Sequence, residues 1–297
     1  MWRTQHALLI TKVTMPTFIG KSTSPFFMLP LNTTRTPDLH LPEAQGVGIF
    51  IINLDECTQR LSHTLSQLSY LNYPIHRISA ERAPPHPDTS PFIDQKAHQR
   101  IQGKTMGPGT AGCSFSHIKA WKTFLSSSYE FALICEDDMA YGASFPQIVN
   151  TLTQEKNPFW DVCSFQVNHQ GAPLTLTKGP LYRQVIYLFP VTGAGCYLLT
   201  RMGAHKLLSK ALPLTLPIDH YFTRGWEFPL TFIGIEPRCV GQEASISSEI
   251  DKRGRQTRPP RSFTQTMVRV LYVGAKHMMH FMHNGWIYLS YQFKKRF

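Results

Sequence analysis

Three adjacent carboxylates, Glu136, Asp137 and Asp138, stand at the end of the apolar run YEFALIC. Three such charges side by side repel one another unless a cation or hydrogen-bond donors take up the charge. Oxygen-only ligands suit Mn²⁺ or Mg²⁺, and such an ion uses one or two carboxylates while nucleotide phosphates complete its shell. Asp138 is read as the direct metal ligand, with Glu136 beside it and Asp137 supporting the ion or a ribose. In an extended strand Glu136 and Asp138 point to one side and Asp137 to the other, so the triplet can touch ion and ribose together. The bland alternative is a solvated acidic turn.

The elements around the triplet read as an α/β protein. VGIFIINL, from Val47, is a continuous β-branched run of the kind found in a strand buried on both faces of a parallel sheet. Leu61, Leu65, Leu68 and Leu71 then recur at helical spacing up to Asn72-Tyr73-Pro74, and PIHRISA follows as a second strand. Strand, helix and strand make a βαβ unit. The proline-rich stretch from Pro84 to Pro91 places a long surface loop over 82–108. Thr110 is positioned to cap a helix carrying Phe115, Ile118, Trp121 and Leu125, which leads to the strand ending at the triplet. Further strands are expected at DVCSFQV, RQVIYLF, GCYLLT and PLTFIGI, with a helix after Thr200.

Scattered Pro, Thr and Ser without a sustained period mark residues 1–45 as an irregular extension, and charge separates the body (46–250) from a tail (251–297). The formal charge is +11, yet the tail alone carries ten Lys/Arg against the single acid Asp251. A nearly neutral body excludes a surface built throughout to grip nucleic acid, and no nucleic-acid partner is expected. Residues 263–293 are rich in Met, Phe, Tyr, Trp, Val and Leu and are flanked by Lys252, Arg253, Arg255, Arg258 and Arg261 on one side and Lys294, Lys295 and Arg296 on the other. That pattern suits an interfacial helix on an anionic membrane surface, and the alternative is a helix packed on the body. As an anchor, the tail could be removed with transfer to a soluble acceptor largely kept. His277, His280 and His283 are expected to be exposed or to face headgroups. The six cysteines have no zinc-site spacing and read as free thiols in a reducing compartment, and ALLI is too short for a signal segment, so the expected location is cytoplasmic, peripheral on the inner membrane face.

Five ordered blocks carry a resemblance: Asn53-Leu54 with Arg60, Gly112-Cys113 with Ser116-His117, Glu136-Asp137-Asp138, Gly203-Ala204 with Leu207, and Pro217-Ile218-Asp219. Together they resemble glycosyltransferase family 25, the lipooligosaccharide and lipopolysaccharide galactosyltransferase-like enzymes related to collagen galactosyltransferases. The resemblance implies a GT-A-like, Rossmann-type nucleotide-sugar-binding domain with a UDP-sugar donor, usually UDP-galactose. It further implies inversion at the anomeric carbon and a lipid-linked oligosaccharide acceptor. Asn53, Leu54 and Arg60 would then lie at the nucleotide end, although Arg60 also fits a solvent-facing helix position. Ser116 and His117 either contact substrate or pack. Inverting transfer needs a base for the acceptor hydroxyl. Asp219 is the first candidate, from a short loop that can reach the cleft or else as the cap of a short helix, and Glu227 is the reserve. Two departures, Thr110-Ala111 and the glycine-free Ser79-Ala80-Glu81-Arg82, fall near the donor pocket and leave the sugar the least determined part. The alternative function is a catalytically inactive homologue that binds a glycan or nucleotide.

Overall fold

The computed structural model describes residues 46–83, 90–243 and 263–296, so the expectations for residues 1–45 and for the whole basic segment 251–262 lie outside the described residues. β1 (Val47–Asn53) is buried along its whole length, as its unbroken apolar run requires. α1 (Thr58–Leu68) follows and tightens into a 3₁₀ turn that stops at Asn72, which takes the left-handed conformation with φ 55°. The leucine stripe is only partly inward, because Leu65 is exposed and Thr64 is buried in its stead. β2 (Ile75–Ser79) then pairs parallel to β1 and completes the βαβ unit.

The stretch expected to be an irregular loop contains α2 (Gln95–Gln102), capped by the Asp94 side chain, which accepts from the Ala97 N–H at 2.8 Å, and closed by Gly103 at φ 68°. Pro84 to Pro91 masked this, since prolines excluded helix only up to Pro91 while the Asp and Gly stop signals lay just beyond. α3 (Pro108–Leu125) begins on Pro108 with Gly107 as the N-cap, so Thr110 lies inside the helix and is not the cap. Proline suits a first helical position because its missing N–H would have no partner there.

β3 (Phe131–Glu136) pairs parallel to β1 on the side opposite β2. The chain then forms β4 (Met139–Tyr141), α4 (Phe145–Leu152), β5 (Val162–Ser164), β6 (Pro173–Lys178), β7 (Arg183–Tyr187) and β8 (Cys196–Thr200). After β8 come α5 (Arg201–Leu208), α6 (Ile218–Phe222), β9 (Phe232–Glu236), β10 (Val240–Gln242) and a long α7 (Phe263–Arg296). Thr200 caps α5 as expected, accepting from the Gly203 N–H at 3.0 Å. The strands form one eight-stranded sheet in the order β2-β1-β3-β8-β5-β9-β7-β6, with β10 and β4 in a separate antiparallel ribbon. β8 runs antiparallel to β3 and β5, and β7 antiparallel to β6 and β9, so the sheet is parallel in its first three strands and mixed beyond them.

Alternation along β1 divides the core. Phe50 and Ile52 join Trp121, Tyr197 and the α5–α6 side chains on one face. Val47, Ile49 and Ile51 join Leu133, Cys135, α4 and part of α7 on the other. Both faces are covered, which is why the strands read as continuous apolar runs. Because β1 is followed by β2 on one side and flanked by β3 on the other, a crevice opens at the carboxyl ends of β1 and β3. This reversal of strand order is where open α/β sheets bind ligands.

Candidate active site

β1 ends on Asn53 and β3 on Glu136, with Ile52 opposite Glu136 in register. The acidic triplet is therefore delivered to the crevice by the two central parallel strands. The chain leaves the extended conformation after Glu136 and turns through Asp137 and Asp138 into β4. The expected alternation thus does not apply beyond Glu136: all three carboxylates line one cleft together with Ile52, Asn53, Leu54 and Arg60, an open space of about 780 Å³.

Each carboxylate has a different set of partners. Asp137 receives the Asn53 side-chain amide at 2.6 Å and the Arg60 guanidinium, and its backbone carbonyl accepts from the Thr64 hydroxyl at 3.2 Å. The buried Thr64 that replaced a leucine on the inner side of α1 thus has a use. Asn53 spends its whole amide on the site, also donating to the Cys57 carbonyl at 3.0 Å and accepting from Arg77 at 3.0 Å. Arg60 is bound by the triplet and does not face solvent as a bare helix residue, since it also approaches Asp138 at 3.3 Å.

Glu136 is held from the opposite side. The Trp121 indole can only donate, and it donates to the Tyr197 hydroxyl at 2.8 Å. Tyr197 then has its own proton for His117 Nδ1 at 2.9 Å, which leaves the ring proton on Nε2, 3.2 Å from Glu136 Oε1. Cys113 completes the set at 3.4 Å from the same oxygen. Burial works to raise the Glu136 carboxyl, but these donors outweigh it and hold it below the usual carboxylate range. His117 is fully buried and acts through Glu136, so it is a positioning residue and not a substrate contact. Ser116 lines the cleft, but its hydroxyl is occupied: it donates to the Gly112 carbonyl at 2.7 Å and accepts from the Glu81 N–H at 2.8 Å.

Asp138 carries the unbalanced charge. Burial, and next the charge of Glu136, push its carboxyl up to about 6, against the pull of Arg60. Its Oδ1 is buried without a hydrogen-bond partner. Asp137 is also raised by burial, with Asn53 and Arg60 opposing. Three carboxylates against the one guanidinium of Arg60 leave a cleft that a divalent cation would complete, and an oxygen donor set suits Mg²⁺ or Mn²⁺. Asp138, through the partnerless oxygen, and Glu136 are the residues that would hold it.

A second space of about 880 Å³ adjoins the first, with Cys113, Glu136 and Gln242 lining both. Its far wall is Gln166, Asn168, Gly193, Asp219 and His220. Asp219 is neither in a free loop nor a helix cap: it sits in the first turn of α6, with Pro217 at the cap position, and its Oδ2 accepts from the Gly193 N–H at 3.2 Å. Gly193 has φ 121°, which only glycine adopts without strain, and a Cβ there would meet Gln166 Oε1 at 2.6 Å. Glu227 is not brought to either cleft. It closes on Arg224, whose guanidinium it accepts at 2.7 Å, in the segment under α7.

Sequence reasoning missed Arg77, Thr64, Tyr197, Gln166 and Gln242. Gln242 arrives from β10 because Gln242 pairs with Met139 and the Glu243 N–H donates to the Asp138 carbonyl at 2.8 Å. No local pattern announces such a contact. Tyr197 had a signal in GCYLL, a phenol within an otherwise aliphatic strand, which needs a hydrogen-bond partner when buried.

A mixed sheet with a crevice at the carboxyl ends of β1 and β3, lined by an acidic triplet and adjoined by a polar cleft, defines an α/β protein with a candidate ligand site at that edge. Residues 47–222 match glycosyltransferase family 25, described as LPS biosynthesis proteins, and the chain belongs to that family. A cattle (Bos taurus) protein named probable inactive glycosyltransferase 25 family member 3 is 28% identical over 133 residues, a stretch covering 40% of this chain and 20% of that protein. Among solved structures, a glycosyltransferase involved in glycosylation of the major capsid of PBCV-1 aligns over 70% of this chain and 96% of its own, at 11% identity and a TM-score of 0.36.

Proposed function

We propose that the protein is an active, metal-dependent, inverting hexosyltransferase of GT-A-like architecture that moves galactose from UDP-galactose to a lipooligosaccharide or lipopolysaccharide type acceptor. The single observation that carries catalytic competence is Asp138: a buried carboxylate with a partnerless oxygen and a raised pKa, beside an ionised Glu136, is costly to the fold unless a cation uses it. The first cleft takes the nucleotide diphosphate, with Asn53, Leu54 and Arg60 at its wall. The second takes the acceptor. A bound Mn²⁺ or Mg²⁺ would neutralise charge developing on the leaving diphosphate. Arg60, already directed at the triplet, adds a fixed positive charge at the same end. Asp219 accepts the proton of the acceptor hydroxyl, and the Gly193 N–H holds its other oxygen in place. Glu227, engaged with Arg224, has no part in this scheme.

A second reading, an inactive nucleotide- or glycan-binding member, is favoured by Arg60 itself, because it already pairs with both Asp137 and Asp138 and so supplies part of the charge a metal would. The relative named as probably inactive keeps this reading in view. A screen of nucleotide sugars for hydrolysis with and without Mn²⁺ separates the two. Active transfer predicts metal-dependent turnover of UDP-galactose above other donors. Binding without turnover of any donor supports the second reading.

A further inference from the structure

α7 presents two rows of side chains. His280, Asn284, Ile287 and Tyr291 face the body: His280 Nδ1–H donates to the Thr223 carbonyl at 2.9 Å, and the Asn284 amide donates to the Tyr187 carbonyl at 2.7 Å and to His280 Nε2 at 2.9 Å. Ile287 and Tyr291 pack on the core, the Tyr291 ring against Phe159 with centroids 4.6 Å apart. At about 100° per residue, Leu271, Met278, Met282, Leu289 and Phe293 fall on the opposite face. Of these, Leu271 is 68% exposed, Met278 60%, Met282 65% and Leu289 63%, with Trp286 at 69% on the flank. Among the described residues Leu271, Met278, Met282 and Leu289 form a continuous exposed apolar row.

Such a row on an element tied down by buried hydrogen bonds marks an interaction surface, because a solvated helix has no reason to keep its large apolar residues outward. Charge identifies the occupant. No acid follows Asp251, while Lys294 and Lys295 are exposed at one end of α7 and five Lys/Arg precede it in sequence at the other. Nor is any helix among the described residues long and apolar enough to cross a membrane. An apolar face with basic ends, too polar on its other side to span, fits the boundary between headgroups and acyl chains.

We propose that the outward face of α7 docks in the plane of an anionic lipid surface. Thr223, the residue that ends α6, accepts the His280 hydrogen bond, so a docked α7 carries with it the helix that bears Asp219. The surface therefore keeps the second cleft beside a lipid-linked acceptor. That last step rests on the transfer reading, whereas docking does not.

The test is sedimentation of the full chain with vesicles of equimolar phosphatidylglycerol and phosphatidylcholine, against phosphatidylcholine alone. Binding is expected on the anionic vesicles and to weaken as ionic strength rises. Leu271→Gln, Met282→Gln and Leu289→Gln combined keep helix-forming side chains and should cut partitioning by at least about tenfold. Lys294→Glu with Lys295→Glu, which leaves the apolar row intact, should also cut it about tenfold. The idea is overturned if the parent stays in the supernatant or if both variants sediment as the parent does. It is likewise overturned if the parent is a dimer that the Gln variant makes monomeric while neither binds vesicles, since a second copy then covers the face. Donor hydrolysis measured on the same samples separates the two readings: its loss in all of them strikes the transfer reading and leaves docking standing.

Discussion

Asp138 joins two properties that ordinarily conflict, catalytic readiness and instability. Replacing it with Asn removes a buried charge, so Asp138→Asn should abolish most metal-dependent donor turnover while stabilising the metal-free fold by about 2 kcal/mol, read as a raised urea midpoint. A variant that turns over donor at the parental rate would remove Asp138 from the metal site. The same shift sets a pH dependence. The folded carboxyl titrates near 6 and the unfolded one near 3.8, so the folded state holds the proton more tightly. Its contribution to the stability of the metal-free protein is present below the unfolded value and is lost as pH rises through about 6. Metal binding requires the carboxylate, so Mn²⁺ affinity should run in the opposite sense and weaken as pH falls through about 6. Calorimetric titration at pH 5 and pH 7.5, taken on either side of that value, would show it; equal affinities would exclude Asp138 as a ligand. For Asp219→Asn the expected outcome is kinetic: kcat falls by about 10²-fold or more with donor affinity unchanged, and a matched loss of donor affinity would move Asp219 to the first cleft.

At the scale of elements, the clefts depend on how closely α3 approaches the segment after β2. Gly112 packs so tightly that a Cβ would stand 2.7 Å from the Glu81 carbonyl oxygen and 3.2 Å from the Ala83 nitrogen, both backbone atoms that cannot swing aside. Gly112→Ala should therefore destabilise the fold by about 1–3 kcal/mol, and weaken donor binding because Cys113 and Ser116 shift with the helix. Unchanged stability in a denaturant titration would show that the segment yields freely. The Gly-Cys pair and the Ser-His pair were legible as a motif, but their purpose was not. Ser116 and His117 read equally well as substrate contacts until packing showed both side chains occupied with Glu81 and Glu136.

For the whole molecule, α7 proves to be part of the structure and not a removable appendage. His280, expected to be exposed or to face headgroups, is buried and donates to the Thr223 carbonyl, Asn284 donates to the Tyr187 carbonyl, and Tyr288 and Tyr291 pack on the core. Deleting residues 263–297 leaves the Thr223 and Tyr187 carbonyls without these partners and uncovers apolar surface at the β6–β7 edge. We expect the truncated chain to lose several kcal/mol, with transfer to a soluble acceptor falling along with the fold. Full retention of both by thermal melt and assay would restore the view of a detachable anchor. Point changes on the outward row are therefore the cleaner way to separate docking from folding.

The sequence by itself determined whatever depends on short-range order. The β1 run, the leucine-spaced α1, the Thr200 cap and the placement of Glu136 at a strand end all follow from side-chain periodicity and local hydrogen bonding, which act over a few residues. The tertiary structure alone decided what depends on distant segments meeting. Whether Arg60 faces solvent or the triplet, which way Asp137 turns, that Gln242 reaches Asp138, and that Glu227 spends its charge on Arg224 were settled by sheet order and packing. The physical reason is that a carboxylate's role is set by the charges and donors within a few ångströms of it. In this chain those neighbours of the triplet lie as far as a hundred residues away, where no local spacing can encode them.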